Sequence, residues 1–120
     1  MAEAVKLVYI AGPFRATTPW AVEQNIRRAE ELALEVWALG AVAVCPHTNS
    51  RFFDKLIPDK VFLDGYLTLL ARCDAVLLTG SWETSEGTRN ERTYADVHKI
   101  PVFETLGDLT KWLYRWTLTV

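Results

Sequence analysis

Four short apolar runs, residues 7–11, 41–45, 74–78 and 100–103, alternate along this chain with longer stretches whose apolar residues recur at steps of three and four. Runs of that length suit strands buried on both faces, and the intervening spacing suits amphipathic helices. Alternating strands and helices imply parallel strands joined by right-handed crossovers, with helices covering both faces of the sheet. The expected architecture is a small doubly wound α/β domain, Rossmann-like or flavodoxin-like, with a mostly parallel sheet.

The punctuation agrees with the alternation. Gly12-Pro13 closes the first run in a sharp turn. Val22, Ile26, Ala29, Leu32, Ala33, Val36 and Trp37 mark a helix over 19–39, with Thr18 as cap, Pro19 at its first position and Gly40 as its stop. Pro46 ends the second run, and residues 47–60, with Asn49, Ser50, Pro58 and Asp59, read as a long loop containing one helical turn. Phe62, Leu63, Leu67, Leu70 and Ala71 predict a helix over 61–73 that Gly65 interrupts. Residues 79–83 are loop, Ser85 caps a helix continuing through 87–98, and Trp112, Leu113 and Trp116 lie on a closing helix over 106–118.

Size and charge remove several function classes. At 120 residues the chain is expected to be one domain, residues 1–120, with little room for a deep pocket built from one copy, so a homo-oligomer with a shared site is expected. Half the residues are hydrophobic, enough for the chain to fold alone. Thirteen Lys and Arg against fifteen Asp and Glu give a net charge of -2, without the positive field that gathers nucleic acid polymers. No run approaches the ~20 apolar residues that span a bilayer, and the acidic Glu3 with a short apolar stretch is unlike a secretory leader, so a cytoplasmic protein is expected. Cys45 and Cys73 are not in CxxC spacing and read as small buried thiols. His47 and His98 fall in different elements, which gives no metal-ligand pattern. GxGxxG, GxxxxGK and Gly-x-Ser-x-Gly are all absent, which disfavours a dinucleotide dehydrogenase, a P-loop nucleotidase and a serine hydrolase; no cofactor is expected.

In doubly wound sheets ligands sit outside the carboxyl ends of the strands, which directs attention to residues 12–18, 46–50 and 79–91. Ser85 and Gly87 open a helix whose free N–H groups and dipole favour an anion such as a phosphate. Glu91, four residues after Gly87, faces the same way one turn deeper. The plainer reading makes Ser85 only a cap and Glu91 a surface charge paired with Arg89 or Arg92. After the first strand, Gly12 gives a turn and Arg15 a guanidinium able to grip phosphate in bidentate fashion, against the plainer alternatives of a solvated Arg15 and a core Tyr9. Phe14, Trp20, Phe52, Phe53 and Trp82 fall in or near these loops, Trp82 being the strongest candidate to stack on a base.

Tyr9-x-x-Gly12-x-x-Arg15, the run Cys73-Asp74-Ala75-Val76, and Trp82-x-x-Ser85-x-Gly87-x-x-x-Glu91 followed by Ala95 resemble the nucleoside 2-deoxyribosyltransferase-like superfamily over about residues 8–103. The similarity is greatest to its short members, which include 2'-deoxynucleoside 5'-monophosphate N-glycosidases. The resemblance implies cleavage of an N-glycosidic bond, with Glu91 attacking the anomeric carbon and Tyr9 orienting its carboxylate. It also implies that Ser85, Gly87 and Arg15 cradle a 5'-phosphate; Gly12, Phe14 and Trp82 are binding candidates from their place in the ligand loops. The partner would be a small nucleoside or nucleotide.

One position departs from the pattern. Members of that superfamily carry an aspartate eight residues before the strand-three aspartate, where it helps protonate the leaving base; here Tyr66 stands eight residues before Asp74. Asp64 is two residues away, a step of about 200° on a helix, and reaches the site only if Gly65 shifts the helix. His47 is the other candidate acid, its ordinary pKa being near 6.5. Asp74 itself reads as structural. Three readings follow: cleavage or deoxyribosyl transfer through Glu91, a non-catalytic nucleotide-binding module that keeps the phosphate cradle but lacks an acid, or an interaction protein that kept only the fold.

Overall fold

The computed structural model describes residues 4–118, with side chains through residue 115. Its order is β1 (Leu7–Ala11), α1 (Pro19–Ala38), β2 (Val42–Val44), α2 (Pro46–Asn49), α3 (Asp59–Leu70), β3 (Ala75–Leu78), a 3-10 turn (Trp82–Thr84), α4 (Glu86–Val97), β4 (Val102–Phe103) and α5 (Leu106–Leu118). The four strands are all parallel, in the order β2-β1-β3-β4. Tyr9 pairs with Val44 on one side and Val76 on the other. The chain thus leaves β1 toward β2 and returns to β3 on its opposite side. The crevice between the carboxyl ends of β1 and β3 is the switch point where such sheets bind ligands.

Strand alternation divides the core in two. Val8 and Ile10 of β1, with Ala75 and Leu77 of β3, pack against Ala29, Ala33 and Val36 of α1 and Leu109 of α5. Tyr9 and Ala11, with Val76 and Leu78, face Leu70 of α3 and Ala95 of α4. The sheet is covered on both faces, as the run pattern requires.

Helix α1 begins where Thr18 accepts a hydrogen bond from the Ala21 N–H at 3.1 Å and stops at Gly40, whose φ of +89° suits glycine. Helix α3 differs from its prediction. It starts at Asp59, ends at Leu70 and passes through Gly65 unbroken. Glycine costs a helix only about 1 kcal/mol, and the packing of Tyr66 and Leu70 on the second core outweighs it. Ala71, Arg72 and Cys73 make single turn bonds that lead into β3, which begins after Asp74 rather than on it. The Asp74 carboxylate accepts from the Leu7 N–H at 2.8 Å, pinning the start of β1. Both outer strands are also shorter than predicted, because their ends lack a second neighbour to pair with.

At the carboxyl end, Trp112 packs on Phe103, their ring centroids 5.6 Å apart. The Trp116 side chain and residues 1–3, including Glu3, lie outside the described residues. Among the described residues no helix is long and apolar enough to cross a membrane. Cys45 and Cys73 are free thiols; burial raises both, Cys73 to about 11 with help from the neighbouring Asp74 charge.

Candidate active site

Tyr9 is completely buried, and its ring crosses the second core to reach α4. There its hydroxyl donates to Glu91 Oε2 at 2.5 Å, linking residues 82 positions apart. Glu91 is partly buried on the inward face of α4. Helix α4 is set in place by Ser85, whose Oγ accepts from the Thr88 N–H at 3.2 Å and is bonded to the Thr88 hydroxyl at 3.0 Å. With Thr88 donating both, the Ser85 hydrogen is left to donate toward another acceptor. Thr88 and Glu91 follow the cap at three-residue steps, so all three share one face.

Burial governs the electrostatics. It raises the Glu91 carboxyl to about 7, against the lowering effect of the Tyr9 hydrogen bond. Near neutral pH this group is present both as a carboxylate, able to act as a nucleophile, and as the neutral acid. Burial, and next the Glu91 charge, push the Tyr9 phenol far up, so it remains a hydrogen-bond donor.

Glu91 opens into a cavity of about 170 Å3 at the switch point. Gly12 and Phe14 come from the β1–α1 turn, His47 and Ser50 from α2 and its end, Phe62 and Tyr66 from α3, and Ser85, Gly87, Thr88 and Glu91 from the α4 entry. Gly12 is required by close approach, since a Cβ there would lie 1.9 Å from Thr79 Oγ1 at the end of β3. Among the described residues, the lining contains Asp54 and Glu91 but no lysine or arginine.

His47 lines this cavity in a different capacity from the proton donor expected. Its Nε2 faces the carbonyls of Gly12 at 3.1 Å and Pro13 at 3.0 Å, and two acceptors require that nitrogen to carry the hydrogen. Burial lowers its pKa despite these bonds, so the ring is neutral and its one N–H is committed to holding the first turn. Nδ1 is buried without a partner.

Three other candidates lie away from the lining. Asp64 is on the exposed side of α3, paired with Lys60 at 2.5 Å; because Gly65 does not shift the helix, the 200° step keeps Asp64 out. Arg15 is exposed and paired with Asp59 at 2.6 Å. Trp82 donates to Glu104 at 3.3 Å and lies under the Arg92 guanidinium, 4.6 Å away, packed on the second core and outside the cavity lining. Trp20, Phe52 and Phe53 are exposed. Sequence reasoning did not select Ser50, Asp54, Phe62 or Thr88. The four-residue step from Phe62 to Tyr66 was the available signal, once α3 is read as unbroken.

Comparison with known proteins bears on the family and the fold. The family model DUF7768, described as a domain of unknown function, matches residues 6–105. The chain belongs to this family. The matched span of the DUF7768 domain contains Tyr9, Gly12, Tyr66, Ser85 and Glu91, and so the whole cavity. Among solved structures, the DUF7768 fold is similar to that of a 2-deoxyribosyltransferase from the psychrotolerant bacterium Bacillus psychrosaccharolyticus, with a TM-score of 0.60 and 18% identity over 80% of this chain and 69% of that one. At that identity the likeness shows a shared α/β fold. No curated protein matches the chain significantly.

Proposed function

We propose that this domain cleaves the N-glycosidic bond of a nucleoside or nucleoside 5'-monophosphate, by hydrolysis or by deoxyribosyl transfer, with Glu91 as nucleophile. The observation that carries this reading is the Tyr9–Glu91 hydrogen bond at the wall of the switch-point cavity. A carboxylate held there by a buried phenol is fixed in direction, and one carboxylate oxygen remains to attack an anomeric carbon. Departure of the base leaves a glycosyl ester on Glu91, which water or a second base resolves.

Ser85 and Gly87, which line the same cavity, are read as receiving the 5'-oxygen. That the lining has no lysine or arginine among the described residues favours an uncharged nucleoside over the monophosphate, Arg15 being exposed and paired with Asp59. The domain, residues 1–120, is read as acting without metal or cofactor. Leu63, which lines the cavity, and Phe52 and Leu56, in the segment before α3, are exposed, which supports a homo-oligomer; light scattering checks it.

Incubation with a nucleoside and nucleotide panel, followed by chromatography for free base, tests the activity. Glu91→Gln is expected to lose at least ~1000-fold in base release while retaining its fold and ligand binding. Unchanged release by a pure Glu91→Gln protein removes Glu91 from the mechanism. The second reading, a nucleotide-binding module without turnover, is favoured by the commitment of the His47 N–H to the backbone. It predicts thermal stabilisation by nucleotides with no base released.

A further inference from the structure

Cleavage through Glu91 leaves the departing base with an electron pair that must receive a proton, and the lining offers few groups able to supply one. His47 has spent its single N–H on Gly12 and Pro13. The Thr88 hydroxyl is given to Ser85, and Asp64 is outside with Lys60. Asp54 is exposed at the mouth. Ser85 keeps a hydrogen to donate, but it sits on the α4 entry beside Glu91 and an aliphatic hydroxyl is far too weak an acid to give it up; the more acidic hydroxyl, on the α3 wall and on a different element from Glu91, is the Tyr66 phenol.

The Tyr66 hydroxyl is held by three neighbours. Ser50 Oγ is 2.5 Å away in a bond that either hydroxyl can donate, Asn49 Nδ2 donates to the phenol oxygen at 3.3 Å, and the phenol's own hydrogen goes either to Ser50 or to the Pro46 carbonyl at 3.3 Å. When Ser50 donates inward, the phenol oxygen accepts from Ser50 and Asn49, and its hydrogen is held only by that long bond to Pro46. A ligand acceptor can take this hydrogen easily. Once the proton has left, the two donors that stabilise the resulting phenolate are already in place.

Building on the glycosidic reading of the site, we infer that Tyr66 is the catalytic acid that protonates the leaving base, with Ser50 and Asn49 as its positioning residues. One Glu91 carboxylate oxygen bonds to the anomeric carbon as the C–N bond breaks. The electron pair of that bond goes to the base nitrogen, and the Tyr66 proton passes to the base. Water then attacks the anomeric carbon; its hydroxyl forms the new C–O bond, its other proton returns to the Tyr66 phenolate, and Glu91 leaves as a carboxylate. The tyrosine therefore performs, as a neutral hydroxyl, the work for which the resembled superfamily uses a carboxylic acid.

The test compares two substrates, an ordinary 2'-deoxynucleoside and 4-nitrophenyl 2-deoxyriboside, whose leaving group departs without a proton. Tyr66→Phe is expected to lose about 100-fold or more on the nucleoside and less than about 10-fold on the nitrophenyl glycoside. Asn49→Leu, at an exposed position, removes one donor to the phenol and should show the same selectivity with smaller losses, and it serves if Tyr66→Phe does not fold. Equal losses on both substrates, no loss on the nucleoside, or the selective loss appearing in Asp54→Asn instead, overturns the assignment of Tyr66. Wild-type protein inert toward both substrates overturns the glycosidic reading itself, and the two failures are thereby distinct.

Discussion

The two faces of the sheet are built from the same strands and do different work. On the α1/α5 side, β1 and β3 present Val8, Ile10, Ala75 and Leu77 to a wholly apolar layer. One residue along, on the α3/α4 side, β1 presents Tyr9, and the layer acquires a phenol that reaches Glu91. The two-residue repeat of the strand puts Tyr9 against Glu91, while Ile10 of the first face reaches the cavity only as an apolar lining residue. The second face accepts a buried carboxylate with a raised pKa, a cost that the first face, with the sheet's share of α1, helps to offset.

Breaking each face separately tests this division. Leu77→Ala, on the first face, is expected to cost about 2–5 kcal/mol, read by denaturant unfolding, while leaving the pH midpoint of Glu91 where it was. On the second face Glu91→Gln should stabilise. The folded-state pKa of Glu91, about 7, lies above its ordinary value of 4.5, so the folded protein binds the proton more tightly. Wild-type stability then falls as pH rises between those values and levels off above the higher one. The gain from Glu91→Gln should reach about 1–2 kcal/mol at pH 8, allowing for the partial exposure of the carboxylate, and vanish toward pH 4; a gain independent of pH would refute the burial effect.

Smaller changes sharpen the comparison. Activity that needs ionised Glu91 should rise with pH through about 7. Tyr9→Phe removes the hydrogen bond that lowers this pKa, so the acid limb of the profile should move to higher pH, as followed by kcat/KM. Smallest of all, Arg15→Ala should weaken nucleosides and monophosphates nearly alike, because the guanidinium is turned to Asp59. A selective loss for monophosphates, measured by titration calorimetry, would return Arg15 to the binding site.

Much of the fold was legible because it rests on local signals. The Leu7–Ala11 run, the Thr18-Pro19 and Gly40 brackets of α1, and the Ser85 cap each state their structure within a few residues. Glu91 and Tyr9 could be named singly, but their contact depends on β1 and α4 meeting in space. The directions of Arg15 and Trp82 were not legible, since each is set by a partner remote in sequence, Asp59 and Glu104. Gly65 misled for another reason: a local preference worth about 1 kcal/mol gave way to tertiary packing. His47 stood in a loop by composition, yet one turn of helix and two carbonyls from the first loop draw it inside.

The lengths of the strands carry one more consequence. The inner strands β1 and β3 have five and four residues, whereas β2 and β4, at the rims, have three and two. So short a rim gives a stray extended peptide only a couple of backbone bonds to gain, a poor template for aggregation. Growth of this domain by insertion is therefore easier through its helical layers and connecting segments than by lengthening the ladder sideways.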